Sequence, residues 1–344
     1  MLAILAVTAP FFALILVGWL AARHGLLPVA AVPGLNSFVL YFALPCMLLR
    51  FGMNTPVLDL LNPVILLVYL LAALLIVFFT VSFSWTATLN LKDAAFGALV
   101  AAFPNSGFIG VPLLVALLGP AAAGPVICSI LADMMITSSV CLGLAQAQES
   151  GGRGPRAAGL SALRGALSNP LPWSIAIGAV IGGLGWHLPG PLDSVVRMLA
   201  DAASPVALFT IGAVLWRTTP HAPPEAVSTL AQVRGLPYAW LRARHVAAPF
   251  APTLPVALVK LLLHPLLVLS LGSAARALGA PLSPFALTVL TLTAALPSAS
   301  NVSLLAERYG ADNGRVARII LVSTLLAFAS FSLLAWAFIP APSA

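Results

Sequence analysis

Two short stretches decide how this chain is read: Ala102-Phe103-Pro104-Asn105-Ser106-Gly107, and, nearly two hundred residues on, Ala295-Leu296-Pro297-Ser298-Ala299-Ser300-Asn301. Each places a proline and a run of small polar residues in the middle of a long apolar segment. A proline inside a helix removes a backbone donor and clashes with the preceding turn. In lipid, the carbonyls so freed must be satisfied by protein, water or a ligand. The same break in two corresponding segments points to a binding site rather than a packing kink.

The surroundings of these stretches are membrane-like. Hydrophobic residues make up 61% of the 344 residues and charged ones only 7%, against roughly 25% charged in soluble domains. Uncharged runs long enough to cross a bilayer as helices recur from Leu2 to Phe338, and none shows the alternation of a barrel strand. The pattern predicts ten spans, at 3–21, 33–52, 62–84, 95–118, 122–146, 170–187, 192–216, 255–278, 284–308 and 315–338. The first lacks a preceding positive charge and is followed by Arg23 and His24, which reads as a retained span entering from outside rather than a signal peptide.

Loop charges test this arrangement. Connections after odd-numbered spans hold Arg23, Lys92, Arg153, Arg156, Arg164, Arg217, Arg234, Arg242, Arg244, Arg308, Arg315 and Arg318, whereas the even ones hold Arg50, Arg197 and Arg276. The positive-inside rule then puts the odd connections in the cytoplasm and both termini outside it. The net charge of +7 is thereby a membrane-orienting charge, and no nucleic-acid partner is expected.

Two connections are long. The one at 147–169 is rich in Gly, Ala and Arg and reads as a linker between halves. The insertion at 217–253 carries Pro223, Pro224, Pro237, Tyr238, Trp240, Arg242 and Arg244, and reads either as a solvated insertion or as a segment lying on anionic headgroups. The expected organisation is therefore a first five-helix repeat over 1–146, the linker, and a second repeat over 170–344. Phe42-Ala43-Leu44-Pro45 in span 2 echoes Ala202-Ala203-Ser204-Pro205 in span 7. An odd number of spans per repeat makes the repeats inverted, with helices 4 and 9 broken and crossing.

Ionisable residues inside the spans are functional candidates by default. They are Asp133, Asp201, Lys260 and His264, with Arg50, Arg217 and Glu307 near ends. Lys260 has two readings, a charge inside the bundle or a side chain snorkelling to the interface. His264-Pro265 reads as a kink with a hydrogen-bonded imidazole or as a proton relay, and Asp201 as satisfying backbone groups at a break before Pro205. Cys46, Cys128 and Cys141 lie inside apolar runs without ligand spacing, so they read as small hydrophobes; no metal or other cofactor is expected.

Taken together, these motifs resemble the auxin efflux carrier family, in particular its bacterial members that move malonate or other small organic acids. Asn36-Ser37-Phe38-Val39 with Ala43-Leu44-Pro45 matches the family's second helix. Phe103-Pro104-Asn105-Ser106-Gly107-Phe108-Ile109-Gly110-Val111-Pro112-Leu113 matches its fourth. Asn169-Pro170, Leu199-Ala200-Asp201-Ala202, Lys260 with His264-Pro265, and Ala295-Leu296-Pro297 through Ala306-Glu307-Arg308-Tyr309-Gly310 match the second half.

The resemblance implies a scaffold of spans 1, 2, 6 and 7, joining two copies as a homodimer, and a mobile unit of spans 3 to 5 and 8 to 10 that works as an elevator in the bacterial inner membrane. Substrate would bind at the crossing, against Pro104, Asn105, Ser106, Gly107, Pro297, Ser298, Ser300 and Asn301. In plant members the asparagine after the span-4 proline contacts the substrate carboxylate, and Asn105 matches it. Its counterpart in span 9 does not match, since Ser298 follows Pro297 and the nearest amide is Asn301. The acid that plant carriers place early in span 3 is also missing from Leu61 to Phe83. These departures favour an anion smaller than auxin.

Asp133, Lys260, His264 and Asp201 are the candidates for coupling, with protons the first coupling ion to test. A competing reading is a sodium- or proton-coupled antiporter or symporter of the same inverted-repeat architecture, of the bile-acid or cation/proton type. Paired acids near the crossing would favour it, and Asp133 stands alone. An intramembrane enzyme would need a catalytic pair such as His-Glu-x-x-His, and the sequence contains none.

Overall fold

The computed structural model describes residues 2–55, 62–87, 89–147, 170–218 and 251–339. These residues are helical, without strands; two isolated bridges occur, Thr86 with Leu89 and Pro104 with Ser298. The linker 147–169 and the insertion 217–253 lie almost wholly outside the described residues.

In chain order the helices are α1 (Leu2–Arg23), α2 (Val32–Asn54), α3 (Pro63–Ser84), α4 (Leu91–Ala102), α5 (Ser106–Leu118) and α6 (Pro120–Ala147). They continue as α7 (Pro170–Gly183), α8 (Gly190–Thr218), α9 (Leu254–Ala277), α10 (Pro284–Ala294), α11 (Asn301–Arg308) and α12 (Asn313–Phe338). Among them α1, α2, α3, α6, α8, α9 and α12 are long and apolar enough to cross a membrane, and α5, α7 and α10 are shorter apolar helices. The predicted segments coincide with helices to within a few residues, those at 95–118 and 284–308 falling on the pairs α4–α5 and α10–α11.

Polar caps set several starts. The Asn62 side chain accepts from the N–H groups of Val64 and Ile65, Asn90 from Asp93, Ser283 from Ala286 and Asp312 from Arg315. Each satisfies a donor that the first turn leaves open. Pro63 and Pro284 follow their caps at the first helical position, where a missing N–H costs nothing.

Internal prolines have three different outcomes. Ahead of Pro45, Pro112 and Pro265 the helix widens for one turn. There the N–H groups of Leu44, Val111 and His264 reach back five residues to the carbonyls of Val39, Ser106 and Val259. Such a turn moves aside the carbonyl that the proline ring would strike. At Pro205, by contrast, α8 runs on as one unbroken helix. The break expected before Pro205 is absent, and Asp201 is exposed on the surface of a continuous helix, so it satisfies no helix break. Only at Pro104 and Pro297 does the chain leave the helix altogether.

The helices pack as two groups. α1 lies along α8, α2 along α7 and α8; α3, α4, α6, α9, α10 and α12 pack among themselves, and the groups meet mainly where α1 and α8 touch α5 and α12. Glycine sets the closeness of the first group. A Cβ on Gly212 would collide with the Ile15 carbonyl oxygen, one on Gly18 with that of Phe209, and one on Gly178 with that of Leu49. Backbones this close gain van der Waals contact, the principal attraction between helices in a membrane. The Arg50 guanidinium adds a 2.8 Å ion pair to Asp193, joining α2 to the start of α8.

Candidate functional site

The two breaks meet. The Asn105 N–H donates to the Pro297 carbonyl over 2.8 Å, and the Ala299 N–H donates to the Phe103 carbonyl over 2.9 Å. This two-rung antiparallel pairing, centred on Pro104 and Ser298, satisfies part of the backbone that the prolines free. Helical ends converge on it: α4 and α10 end there with their carbonyls, and α5 and α11 begin there with their N–H groups. The partial charges of half-helix ends are thereby concentrated inside the bundle.

The side chains at the pairing are enclosed but not fully used. Ser106 is wholly buried, Ser298 is 1% exposed and Asn105 is 4% exposed. The Asn105 amide does not cap the turn that follows it, whose first donors go to the Asn105 backbone carbonyl instead. The Ser298 N–H donates to Ser323 Oγ over 3.2 Å, while Ser298 Oγ and Asn301 Oδ1 have no hydrogen-bond partner although both atoms are buried. Buried polar atoms without partners are costly. Gly107, Ser300 and Asn301 are half-buried beside them. Gly110 lets α5 approach the second break, since a Cβ there would stand 2.7 Å from Leu296 Cδ1.

Three of the four charge candidates form a second cluster. Asp133, Lys260 and His264 are all completely buried, which overturns the snorkelling reading of Lys260. Asp133 begins a wide turn within α6, and Lys260 lies in the wide turn of α9. Lys260 Nζ donates to the Ala294 carbonyl at 2.9 Å and lies 3.0 Å from His264 Nδ1. Which of the two nitrogens donates depends on the tautomer of His264, and His264 Nε2 has no partner.

Sequence reasoning missed the fourth member, Tyr69 of α3. Its hydroxyl donates to Asp133 Oδ2 at 2.7 Å and its ring lies 5.8 Å from that of His264. The available signal was a lone phenol in the middle of an otherwise apolar span. Asp133 Oδ1 is left without a partner. Asp201 is not part of either cluster. Among the described residues no group of three or more His, Cys, Asp or Glu side chains is placed to hold a metal ion.

A cavity of about 420 Å³ opens at one end of the bundle, lined by Asn54 of α2 together with Asn62, Pro120, Gly124, Ser283 and Phe285. It does not include the crossing itself.

This fold and site are those of a multi-pass membrane protein with paired helix breaks, and the sequence comparisons agree. The chain belongs to the membrane transport protein family, whose pattern matches residues 3–336 and which includes the auxin efflux carriers. It is similar to a protein of Rhizobium meliloti (strain 1021) named "Putative malonate transporter", with 28% identity over 326 residues, 93% of this chain and 91% of that one. It is also similar to the "Uncharacterized transporter YfdV" of Escherichia coli (strain K12), with 26% identity over 216 residues, 60% of this chain and 67% of that one.

Proposed function

We propose that this chain is a secondary transporter that carries a small organic anion, a malonate-like carboxylate, across the bacterial inner membrane by elevator-type alternating access. The observation that carries the reading is the pairing of Phe103–Ala299 and Asn105–Pro297 beside the unpartnered Ser298 Oγ and Asn301 Oδ1. Hydroxyls, amides and half-helix N-termini hold a carboxylate without burying several full charges in lipid.

In this reading α1 to α6 and α7 to α12 are two inverted repeats of five spans, giving ten spans with both termini extracytoplasmic. The substrate site consists of Pro104, Asn105, Ser106, Gly107, Pro297, Ser298, Ser300 and Asn301. The group α1, α2, α7 and α8 is the scaffold and the homodimer surface, in contact with membrane lipids. The other group is the mobile unit; its separate packing supports that division. The cavity between Asn54 and Ser283 is then the extracytoplasmic approach. The relative's printed name, malonate transporter, and the scarcity of exposed aromatic surface at the crossing favour a short aliphatic acid.

Mechanistically, the side chains of Asn105 and Asn301 and the hydroxyls of Ser106, Ser298 and Ser300 hold the carboxylate. The mobile unit then carries it past α1 and α8, and release follows on the other side. Two energy sources fit. A membrane potential suffices for uniport, since one charge moved through 100 mV is worth about 2.3 kcal/mol. Protons are the coupling alternative, with Asp133 the first candidate carrier. Counterflow of labelled malonate into liposomes holding the purified chain tests the reading. Exchange with malonate or succinate is expected; exchange with organic cations alone overturns it.

A further inference from the structure

The structure assigns Lys260 a role other than contact with substrate: we propose that its ammonium is a tethered cation filling the place of a coupling sodium ion at the second break. Removing it opens a site for a free monovalent cation.

The carbonyl end of a broken helix inside a membrane is a site of concentrated negative partial charge, and transporters commonly coordinate sodium ions at such ends. α10 ends at Ala294, and its carbonyl accepts from Lys260 Nζ at 2.9 Å. The ammonium thus occupies, with its own stem as leash, the position from which a sodium ion would bind that carbonyl. Asp133, with an unpartnered Oδ1 and its other carboxylate oxygen held by Tyr69, belongs to the same buried cluster and would supply the carboxylate that such an ion needs. Sodium takes hard oxygen donors of this kind. His264 Nδ1 lies 3.0 Å from the same nitrogen.

The wide turn of α9 over Val259–Leu263, ahead of Pro265, carries Lys260, and no side-chain motion to the interface is available to a completely buried residue. The consequence is transport that does not require sodium.

The experiment measures thermal unfolding of the full chain in sodium chloride and in choline chloride at equal ionic strength, without substrate. The wild type is expected to unfold at the same temperature in both. Lys260→Ala, which removes the charge and makes room, is expected to unfold at a temperature that climbs with the logarithm of sodium concentration, as for a ligand that binds only the folded state. Lys260→Met, which fills the space, is expected to show no such rise, and Asp133→Asn added to Lys260→Ala is expected to abolish it. Sodium stabilisation of the wild type, or identical melting of Lys260→Ala in the two salts, overturns the proposal. If Lys260→Ala folds in neither salt, substrate uptake by the wild type decides: unchanged uptake without sodium supports the proposal and loss of uptake overturns it. The consequence for transport rests on the transporter reading. The melting comparison uses no organic anion, so it fails or holds independently of that reading.

Discussion

The backbone N–H of Asn105 donates to the carbonyl oxygen of Pro297 over 2.8 Å, so the first polar residue after one helix break is held by the proline of the other. The side chain of Asn105 is not needed for that bond. Its amide is free to act on something else in an enclosed place.

Asn105→Ala is therefore expected to weaken substrate binding by about 1–3 kcal/mol, the range for a hydrogen bond to a charged partner, while the protein melts as before. Calorimetric titration of the purified variant with malonate checks it. Unchanged affinity would remove the residue from the site.

Close packing of α1 on α8 makes a stability prediction. A Cβ on Gly212 has nowhere to go, because the atom it meets is the Ile15 backbone carbonyl rather than the tip of a flexible side chain. Gly212→Val is expected to lower the melting temperature and the yield of folded protein, with overpacking on the order of 1–3 kcal/mol or more. Gly143→Ala, where an added Cβ meets nothing within 4 Å, is the control and is expected to melt like the wild type.

Much of this architecture was legible in advance. Span positions followed from hydropathy, and the two full breaks followed from proline beside small polar residues. Other features were hidden because they depend on what packs nearby. The sequence around Pro205 resembles that around Pro45, yet α8 continues unbroken while α2 widens for one turn. Lys260 carried two readings because a lysine near the start of a span reaches the interface as easily as the interior. Only the position of the Ala294 carbonyl decides. Tyr69 was missed because a phenol in an apolar span looks like core until its acidic partner is known.

Asp133 yields a prediction about coupling. Its Oδ2 accepts from Tyr69 while Oδ1 is unpartnered, and the cluster touches the second break through Lys260. If Asp133 carries a coupled proton, Asp133→Asn is expected to retain malonate binding and lose the dependence of uptake on external pH. Uptake by vesicles across a range of pH, with binding measured in parallel, checks it. A pH profile equal to that of the wild type would point to His264 or to uniport.

Orientation is open to direct labelling. The turn between α7 and α8, with exposed Trp186 and His187, belongs to an even-numbered connection, and the turn between α11 and α12, with exposed Gly310, to an odd one. A single cysteine at position 187 is expected to react with a membrane-impermeant reagent applied from outside. One at position 310 is expected to react only after permeabilisation. The reverse pattern would place both termini in the cytoplasm and remove the positive-inside assignment.

The last prediction concerns the size of the substrate. The aromatic residues nearest the crossing, Phe103 and Phe108, are 4% and 8% exposed, so their faces are already spent on packing. Phe285 lies at the cavity between Asn54 and Ser283 rather than at the break. A flat ring entering the site would find little surface to stack on and would forgo the roughly 0.5–1.5 kcal/mol that an aromatic pair adds to its burial. A short dicarboxylate loses nothing by this, because in the proposed site it would be held by Asn105, Ser298, Asn301 and the half-helix N-termini. Malonate and succinate are therefore expected to raise the melting temperature with concentration, indole-3-acetate to do so weakly, and an organic cation not at all. Stabilisation by the indole acid alone would restore an auxin-like substrate, and stabilisation by the cation alone would overturn the anion reading, since nothing at the crossing supplies the acidic pair that a cation needs.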